Sequence, residues 1–474
     1  MKAKFTLADL LAIEADPELW DPVCPVSGVP YWHLVRNHML RMITSDEFYS
    51  AGMGAAPPAP KTQMVKTALR SVASNLFAPP RRADVLVMAT GVGVIKDGEL
   101  WMNRLADHFV SADPNGTALV EDQFRWQWRS PRAVSPYLYH MPLQARCVLQ
   151  ARMGSRKAYR HAADHVVTAA MRRAAETVGF VLDEQRALAL KNRLTSRASE
   201  LPHFYRAYQA LLKRLGTKIV LKEEASYGSS AALMAAANSL GVVTAEYQHG
   251  LLSSGHTAYN FAAEIHALPA LRRCLPRFLL TYGDWWNEQV SAPIACVTIG
   301  NPHRSHVLAK LNNSMARSDI VLFLGDGLDT GASLTMARAI AAALPSSLRL
   351  VFRPHPIERD LLGQLARTNQ AGVEVDDVAD INASMFGTAA VVGEVSTGLF
   401  ESVGLAGRTF VWDTPKARFS LGSHPFETFS SATEFATKLA QSEGSAITAS
   451  LWASGWQHRY AAFLSEHGVA NPGE

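Results

Sequence analysis

Residues Leu348–Asp360 read LRLVFRPHPIERD, a short apolar run that ends abruptly on Arg353-Pro354-His355-Pro356. Such a run, followed by a helix-like segment from about Ile357, is typical of a buried parallel strand that leads into a helix. Arg353 and His355 would then lie at the carboxyl end of the strand, where open α/β sheets bind ligands and helix amino termini attract anions. The pattern predicts a phosphate or diphosphate site. The alternative is that His355 caps the helix and Arg353 pairs with a surface acid.

Strands and helices alternate on both sides of this stretch. In the second half, predicted strands at Asp319–Leu324, Ala389–Val392 and Thr409–Trp412 are separated by helical segments. This alternation predicts a parallel, doubly wound sheet with right-handed crossovers. A helix is also expected at Arg359–Thr368.

The first half shows the same alternation, with predicted strands at Asp84–Ala89, Ala118–Glu121, Lys218–Leu221, Val242–Glu246, Arg277–Thr281 and Cys296–Ile299. A polar linker near residue 310 separates the two halves. We therefore predict two Rossmann-like domains facing a cleft. The first is residues 1–310, with helical additions at 1–80 and about 142–215. The second is residues 311–474, with the last helix expected to return to the first domain.

Composition narrows the class of protein. The chain has 474 residues, a net charge of +4 and 48% hydrophobic residues, an ordinary globular balance. No run of about eighteen apolar residues predicts a transmembrane helix, and the N-terminus turns acidic too early for a secretory signal. Four scattered cysteines favour a reducing cytoplasm over disulfides or zinc ligands.

A basic, helical segment from Arg146 to Arg214 could meet anionic lipid, nucleic acid or an acidic glycan. A solvated helical face with internal ion pairs is at least as good an interpretation. Because no nucleic-acid-binding motif accompanies the segment, nucleic acid is not an expected partner.

Two further loops of the second half carry groups that suit a nucleotide. Glycine-rich Gly325-Asp326-Gly327 precedes a helix, so its backbone amides could cradle a phosphate. Ser396-Thr397-Gly398 offers hydroxyls and amides before another helix, although Ser396 or Thr397 could equally be a plain helix cap. Glu394 and Glu401 could bind ribose hydroxyls. Glu394 could instead brace its loop, and Glu401 could be a surface ion-pair residue.

In the first half, Gln248-His249-Gly250 follows a predicted strand directly. A histidine there could act as a general base, because its ordinary pKa of about 6.5 is close to working pH. Glu223 and Glu224, at the end of the neighbouring strand, could orient it or act as the base themselves. The alternative is a hydrogen-bonded structural histidine. Acceptor-binding candidates on the same loops are Gln248, His256, Tyr259 and Asn260.

Several motifs together resemble bacterial surface-polysaccharide glycosyltransferases of the GT-B architecture. The capsular-polysaccharide transferases are nearest, and the teichoic-acid glycerophosphotransferases and bacterial sialyltransferases are more distant. The motifs are EYQHG (Glu246–Gly250), HTAYNF (His256–Phe261), IGNP (Ile299–Pro302), RPHP (Arg353–Pro356) and EVSTGLFES (Glu394–Ser402), within roughly residues 84–440.

The resemblance implies roles for individual residues. His355 would contact the donor phosphate, Ser396 and Thr397 would do likewise, and His249 would be catalytic. The acid-acid-glycine motif of the sialyltransferases is absent, because Ala225 follows Glu223-Glu224. Donor identity and stereochemistry therefore stay open.

The predicted function is a cytoplasmic glycosyltransferase in peripheral contact with the inner face of the membrane. It would move a sugar from a CMP- or UDP-sugar to a glycan or lipid-linked glycan of the capsule or lipopolysaccharide type. No cofactor is expected, and no metal either, because no DxD sequence stands at a plausible strand end. The alternatives are transfer of glycerol or ribitol phosphate from a CDP donor, nucleotide-sugar 2-epimerisation, and a non-catalytic glycan-binding subunit of an export complex.

Overall fold

The computed structural model describes residues 5–48, 59–311, 318–356, 358, 372–378, 380–441, 447 and 450–470. Two parallel sheets dominate it. This confirms the predicted fold class, a GT-B-like pair of Rossmann-like doubly wound domains with extra N-terminal helices. The strands are β1 (Val85–Ala89), β2 (Val94–Asp97), β3 (Leu100–Asn103), β4 (Thr117–Glu121), β5 (Leu138–Tyr139), β6 (Ile219–Lys222), β7 (Val243–Tyr247), β8 (Phe278–Thr281), β9 (Ala295–Thr298), β10 (Ile320–Leu324), β11 (Arg349–Arg353), β12 (Glu374–Val375), β13 (Ala390–Gly393), β14 (Arg408–Trp412) and β15 (Glu427–Phe429).

The first sheet has the strand order β5-β4-β1-β6-β7-β8-β9, and every neighbouring pair is parallel. Strand order reverses between β1 and β6, which is where open sheets of this kind place their ligand crevice. The antiparallel hairpin β2–β3 follows β1. The loops after β6 and β7 therefore lie at or beside the crevice.

The second sheet has the order β12-β11-β10-β13-β14-β15, again all parallel. Its order reverses between β10 and β13, so the loops beginning at Gly325 and Glu394 flank the switch point. The apolar run of the opening stretch forms β11, next to β10, with Leu324 paired to Arg353. The helix predicted at Arg359–Thr368 lies outside the described residues.

Helices cover both sheets, and local signals set several of their ends. Thr6 caps the first helix in a capping box with Asp9, as side-chain capping requires. The described α-helices are α1 (Leu7–Ala12), α2 (Tyr31–Phe48), α3 (Lys61–Leu76), α4 (Asp107–Ala112), α5 (Met141–Met153), α6 (Lys157–Val178), α7 (Glu184–Leu215), α8 (Ala231–Ser239), α9 (Pro269–Cys274), α10 (Asp284–Asn287), α11 (Pro302–Lys310), α12 (Thr330–Ala343), α13 (Ile381–Met385), α14 (Thr397–Glu401), α15 (Pro415–Leu421), α16 (Ala432–Ala440) and α17 (Trp456–Glu466).

The final helix α17 packs in a core shared with strands β1, β6 and β7 of the first sheet, to which it contributes Tyr460, Phe463 and Leu464. A second core of the first sheet includes residues from α2, α6, α7 and α8. The domain limits at residues 310 and 311 stay a prediction. No helix of the described chain is long and apolar enough to cross a membrane.

Part of the basic segment is neutralised by acids on neighbouring helices. Arg186 pairs with Asp46 at 2.7 Å, and Arg172 pairs with Glu18 at 2.8 Å. Both pairs are solvent-exposed, and such pairs contribute about 0–1 kcal/mol. The charge of this segment is therefore partly internal, in line with one of its two interpretations.

Candidate functional site

The two domains approach each other at a glycine and a threonine. A Cβ atom placed on Gly250, after β7, would lie 3.7 Å from Oγ1 of Thr397, at the start of α14. Nearby, Ser253 Oγ donates to the Ser420 carbonyl at 2.5 Å, and a Cβ atom on Gly255 would lie 1.8 Å from the Phe419 oxygen. The loop after β7 therefore rests on α15 of the second domain, and Gly255 cannot carry a side chain there.

His249 immediately precedes Gly250 in this junction. Its Nδ1 lies 3.4 Å from the Tyr259 hydroxyl and 3.9 Å from Oε1 of Glu246, and its side chain is 23% exposed. The Tyr259 hydroxyl donates its only hydrogen to Glu246 at 2.6 Å. Toward His249 it can therefore act only as an acceptor, which requires a hydrogen on Nδ1 of His249. That arrangement favours the tautomer whose Nε2 lone pair is free to take a proton.

Glu246 is a functional candidate that our sequence reasoning missed. It is fully buried at the end of β7, where Ser226 donates to its Oε2 through N at 2.8 Å and Oγ at 2.6 Å. Burial raises its pKa to about 7. The signal available in the sequence was a carboxylate three residues before a histidine at a strand end. Because Glu246 holds Tyr259 beside His249, it acts as a positioning residue for the imidazole.

The electrostatic surroundings keep His249 neutral. Burial, followed by electrostatic interactions with His256, Lys222 and Arg104, lowers its pKa below the ordinary value. A neutral imidazole held by a carboxylate through a hydroxyl can take a proton at Nε2, although its lowered pKa makes it a weaker base than an ordinary histidine.

Glu223 does not face the cleft as a base, contrary to one of the predicted roles. It is 2% exposed, and its carboxylate accepts from the Thr90 amide at 2.7 Å and from the Tyr247 hydroxyl at 3.4 Å. It thus ties the loop after β1 to the loop after β6, across the switch point. Burial raises its pKa to about 7.

Glu224 is half-buried and adopts a left-handed backbone conformation with φ +56°. A residue other than glycine in that region is strained, and such strain tends to occur at functional sites. The Ser230 hydroxyl donates to its carbonyl at 2.8 Å. Of the two glutamates, Glu224 is the one whose side chain retains solvent access.

Three of the four acceptor-binding candidates hold the protein together instead. The Gln248 amide accepts from the Tyr282 N–H at 2.8 Å and donates to the Gly250 carbonyl at 2.9 Å. Tyr259 is fully buried, and Asn260 donates to two carbonyls of its own loop, at 2.9 Å each. The predicted acceptor contacts of Tyr259 and Asn260 are therefore corrected, because their polar atoms already have partners, and Gln248 is 2% exposed and braces the end of β7.

His256 remains half-buried, with its Nε2 3.3 Å from the Tyr227 hydroxyl. Burial lowers its pKa to about 4. It is the one acceptor-binding candidate on this loop that keeps some exposure.

The N-terminal helices, which had no assigned role, support the same loop. Arg36 on α2 is buried against Glu14 and donates to the Asn260 carbonyl at 2.6 Å and the Thr257 carbonyl at 2.5 Å. A buried ion pair with these additional hydrogen bonds fixes its partners' positions. The first residues of the chain therefore help to position the segment that carries His256 and Tyr259.

At the second switch point, a buried lysine joins two predicted ligands. Lys416 Nζ lies 2.7 Å from Oδ2 of Asp326 and 2.5 Å from Oε2 of Glu394. Glu394 also accepts from the Thr414 hydroxyl at 2.5 Å. Asp326 and Glu394 are therefore corrected from nucleotide ligands to loop braces. Burial raises the pKa of Glu394, and the two carboxylates raise the pKa of Lys416 in spite of its burial.

Arg353 is also corrected. Its side chain is 5% exposed, and Nη1 donates to Asp376 at 2.6 Å, to the Ser384 hydroxyl at 2.7 Å and to the Val378 carbonyl at 2.8 Å. The guanidinium pairs with an acid, as the alternative interpretation held, but the acid is buried rather than on the surface. Arg353 therefore braces the ends of β11 and β12.

His355 lies beyond β11 and is half-buried, and its backbone N–H donates to Oε2 of Glu358 at 3.0 Å. The neighbouring Gly325 amide donates to the Arg353 carbonyl at 2.9 Å, so this amide is not free for a phosphate. Gly327 adopts φ +72°, which suits glycine in the turn after β10. These placements leave His355 as the candidate phosphate contact of its loop.

The residues at the start of α14 have different roles. Ser396 Oγ accepts from the Gly398 amide at 3.1 Å, so Ser396 is the helix cap. A Cβ atom on Gly398 would lie 2.7 Å from Leu324, so this position serves close packing. Thr397 is half-buried opposite Gly250, and Glu401 is half-buried one turn later.

A further cation was missed by the sequence reasoning. A small pocket at the carboxyl ends of β7, β8 and β9 is lined by Arg104, Gln248, Tyr282 and Asn301, among others. No hydrogen bond among the described residues engages the half-buried Arg104 guanidinium. Its positive charge contributes, after burial, to lowering the pKa of His303 and of His249.

Metal-binding groups were also sought. Within the described ranges, no set of three or more His, Cys, Asp or Glu side chains is placed to hold a metal ion.

Comparisons with known proteins return similarity of structure alone. No family model and no curated protein matches the chain. A UDP-GlcNAc 2-epimerase from Methanocaldococcus jannaschii is 9% identical with a TM-score of 0.43, over 81% of this chain and 99% of the other. A UDP-GlcNAc 2-epimerase from Neisseria meningitidis is 10% identical, TM-score 0.39, over 82% and 95%. The wall teichoic acid polymerase TagF is 10% identical, TM-score 0.37, over 87% and 95%. Likeness at this level assigns no reaction and no residue.

Proposed function

We propose that the chain is a glycosyltransferase that moves a sugar from a nucleotide-activated donor to a hydroxyl of a bacterial surface glycan, of capsule or lipopolysaccharide type, at the cytoplasmic face of the membrane. The observation that carries the proposal is the His249 imidazole, held by Tyr259 and Glu246 at the point where the two domains meet.

In the proposed reaction, Nε2 of His249 takes the proton of the acceptor hydroxyl. The hydroxyl oxygen then bonds to the anomeric carbon of the donor sugar, and the bond from that carbon to the phosphate oxygen breaks. The nucleotide leaves with the electron pair. Donors of hydrogen bonds placed where this negative charge develops would stabilise the transition state. His355 and Thr397 are the proposed contacts for the phosphate, and no metal is expected to take part.

The proposal is tested by nucleotide binding followed by product analysis. Thermal melts with CMP, CDP, UDP, GDP and TDP should reveal one preferred nucleotide, because a ligand at 100 times its Kd stabilises the fold by about 2.7 kcal/mol. With the matching nucleotide sugar and a glycan acceptor, the expected product is a glycoside. A phosphodiester would instead identify polyol-phosphate transfer, and an epimerised donor without acceptor would identify a 2-epimerase.

Arg104 is proposed to bind an anionic group of the substrate. Arg104→Gln should raise the KM of that substrate roughly tenfold or more, since a charge-assisted hydrogen bond contributes about 1.5–3 kcal/mol. Titration calorimetry with the bare nucleotide shows which substrate carries the anionic group. Weaker nucleotide binding by Arg104→Gln would place the group on the donor, and unchanged nucleotide binding would place it on the acceptor.

Arg81→Gln is a control for Arg104→Gln, because the hydrogen bonds of Arg81 go to the backbone carbonyls of residues 114, 115 and 117, at and before the amino end of β4, the closest at 2.5 Å. If Arg104→Gln left the KM of the donor and the KM of the acceptor unaltered, Arg104 would contact neither substrate.

A further inference from the structure

Helix α3 presents its polar side inward. Residues spaced four apart along it hydrogen-bond to the first domain: Gln63 and Thr67 donate to the Trp126 carbonyl at 3.2 and 2.6 Å. One turn further, Ser71 donates to the Gln123 side chain at 2.8 Å, and Asn75 donates to the Tyr139 carbonyl at 2.8 Å. This side of the helix is therefore anchored by hydrogen bonds rather than by apolar packing.

The apolar side of α3 consequently faces outward. Its exposed side chains are Val65 (59%), Leu69 (66%), Val72 (42%), Leu76 (77%) and, just beyond the helix, Phe77 (86%). On α5, which packs against α3, Leu149 and Met153 are 60% and 80% exposed. We call these seven side chains the outer apolar face. A contiguous set of exposed apolar side chains marks an interaction surface more often than isolated ones do.

The charged side chains that α3 and α5 themselves carry all have one sign. Residues 59–83, which include α3, contain no aspartate or glutamate, and Lys61, Lys66, Arg70 and Arg82 are exposed there. Helix α5 likewise carries Arg146 and Arg152 and no acid. A basic rim around apolar side chains matches the headgroups and acyl chains of an anionic bilayer. Two copies of this face would bring like charges together, which disfavours self-association.

We propose that the outer apolar face binds the surface of an anionic lipid bilayer, with α3 lying in the plane of the interface. The polar hydrogen bonds of Gln63, Thr67, Ser71 and Asn75 keep the helix attached to the domain while its apolar side enters the lipid. This attachment is peripheral, and it involves α3 and α5 rather than the whole basic segment from Arg146 to Arg214.

The location of the face has a consequence that rests on the proposed function. Helix α3 contacts the segment after β4, at the same carboxyl edge of the sheet as His249 after β7. Those strands are three positions apart, or roughly 14 Å at the usual strand spacing. A lipid-linked acceptor would therefore reach the cleft from the membrane without leaving this edge of the domain.

Sedimentation of the full chain with vesicles tests the proposal. Binding is expected to vesicles of phosphatidylcholine with phosphatidylglycerol, to be much weaker to phosphatidylcholine alone, and to decrease with salt. The triple variant Leu69→Gln/Leu76→Gln/Phe77→Gln should bind at least about tenfold less tightly, because burial of apolar side chains provides much of the affinity. Glutamine is a good helix former, so the helix should persist.

A charge variant and a matched control complete the design. Lys66→Gln/Arg70→Gln should reduce the preference for anionic vesicles, and Val181→Gln, at a 75% exposed valine between α6 and α7, should bind as the parent does. Equal melting temperatures would show that every variant is folded. Absence of binding to anionic vesicles at low salt, or equal binding by the triple variant, would overturn the proposal. So would a dimer that depends on Leu69 and Leu76.

Vesicle binding by Glu246→Gln should be unchanged, since that residue is fully buried in β7 and is not part of the outer apolar face. The membrane contact and the proposed reaction can therefore fail separately, because vesicle binding does not require turnover.

Discussion

Replacement of His249 by alanine is expected to lower turnover by about 10²–10⁴-fold, the usual contribution of a general base. The reason is the pairing of Nδ1 with Tyr259 and Glu246, which leaves Nε2 as the proton acceptor. Affinity for the bare nucleotide should hardly change, because the base acts on the acceptor. Single-turnover rates and nucleotide calorimetry on the same preparation separate the two effects.

The control is His458→Ala, which removes an exposed histidine on α17 and should leave turnover unchanged. Near-normal turnover in His249→Ala would move the base to Glu224, and a lowered melting temperature would make His249 structural. A non-catalytic glycan-binding protein would tolerate the alanine as well, and it would also show no turnover in the parent.

The pH profile provides an independent test of the same assignment. A base with an ordinary imidazole pKa of about 6.5 would lose activity below that pH. Burial and neighbouring charges lower the pKa of His249, so its protonation, and the loss of rate it causes, should occur at lower pH. The pKa of Glu246 is raised to about 7, so a smaller fall in rate should accompany its protonation as the pH decreases through 7.

Glu246→Gln should abolish the step near pH 7 and keep the step at lower pH, since only the carboxylate has been neutralised. A single step near pH 6.5 in both proteins would contradict the proposed environment of His249.

Arg353→Met is expected to reduce the free energy of unfolding of the second domain by about 3–5 kcal/mol, because Asp376 would be left buried without its partner. The sequence alone had predicted Arg353 as part of a phosphate site, where its replacement would chiefly weaken nucleotide binding. Both side chains are nearly inaccessible, at 5% and 2% exposure. Urea unfolding followed by a second-domain probe measures the loss.

Arg349→Met is the matched control, with the same substitution at the other end of β11. Its partners Asp319 and Glu374 are about half-exposed, so the expected cost is below about 1 kcal/mol. If Arg353→Met kept the stability of the parent but bound nucleotide more weakly, the guanidinium would be a phosphate ligand, as the sequence predicted. Replacing Asp376 together with Arg353 by apolar residues should recover much of the stability, since no unpaired charge remains.

The sequence by itself determined the alternation of strands and helices, the two parallel sheets and the strand ends at which candidate residues lie. These are local properties, because an apolar run followed by glycine or proline predicts a strand and its end whatever the rest of the chain does. His249 was predicted at the correct strand end for this reason, and Ser396 was predicted as a possible cap from short-range spacing alone.

Only the tertiary structure decided which charges pair and which face substrate. Arg353 finds Asp376 on the neighbouring strand, and Lys416 reaches back to Asp326 and Glu394, so residues predicted as ligands became braces. The outward apolar side of α3 was equally hidden, because helical periodicity shows that a helix has two sides but not which side the domain contacts. Charge pairing and helix orientation depend on which elements become neighbours. Strand order and packing determine which elements become neighbours, and they join residues far apart in the sequence, which local sequence patterns do not reveal.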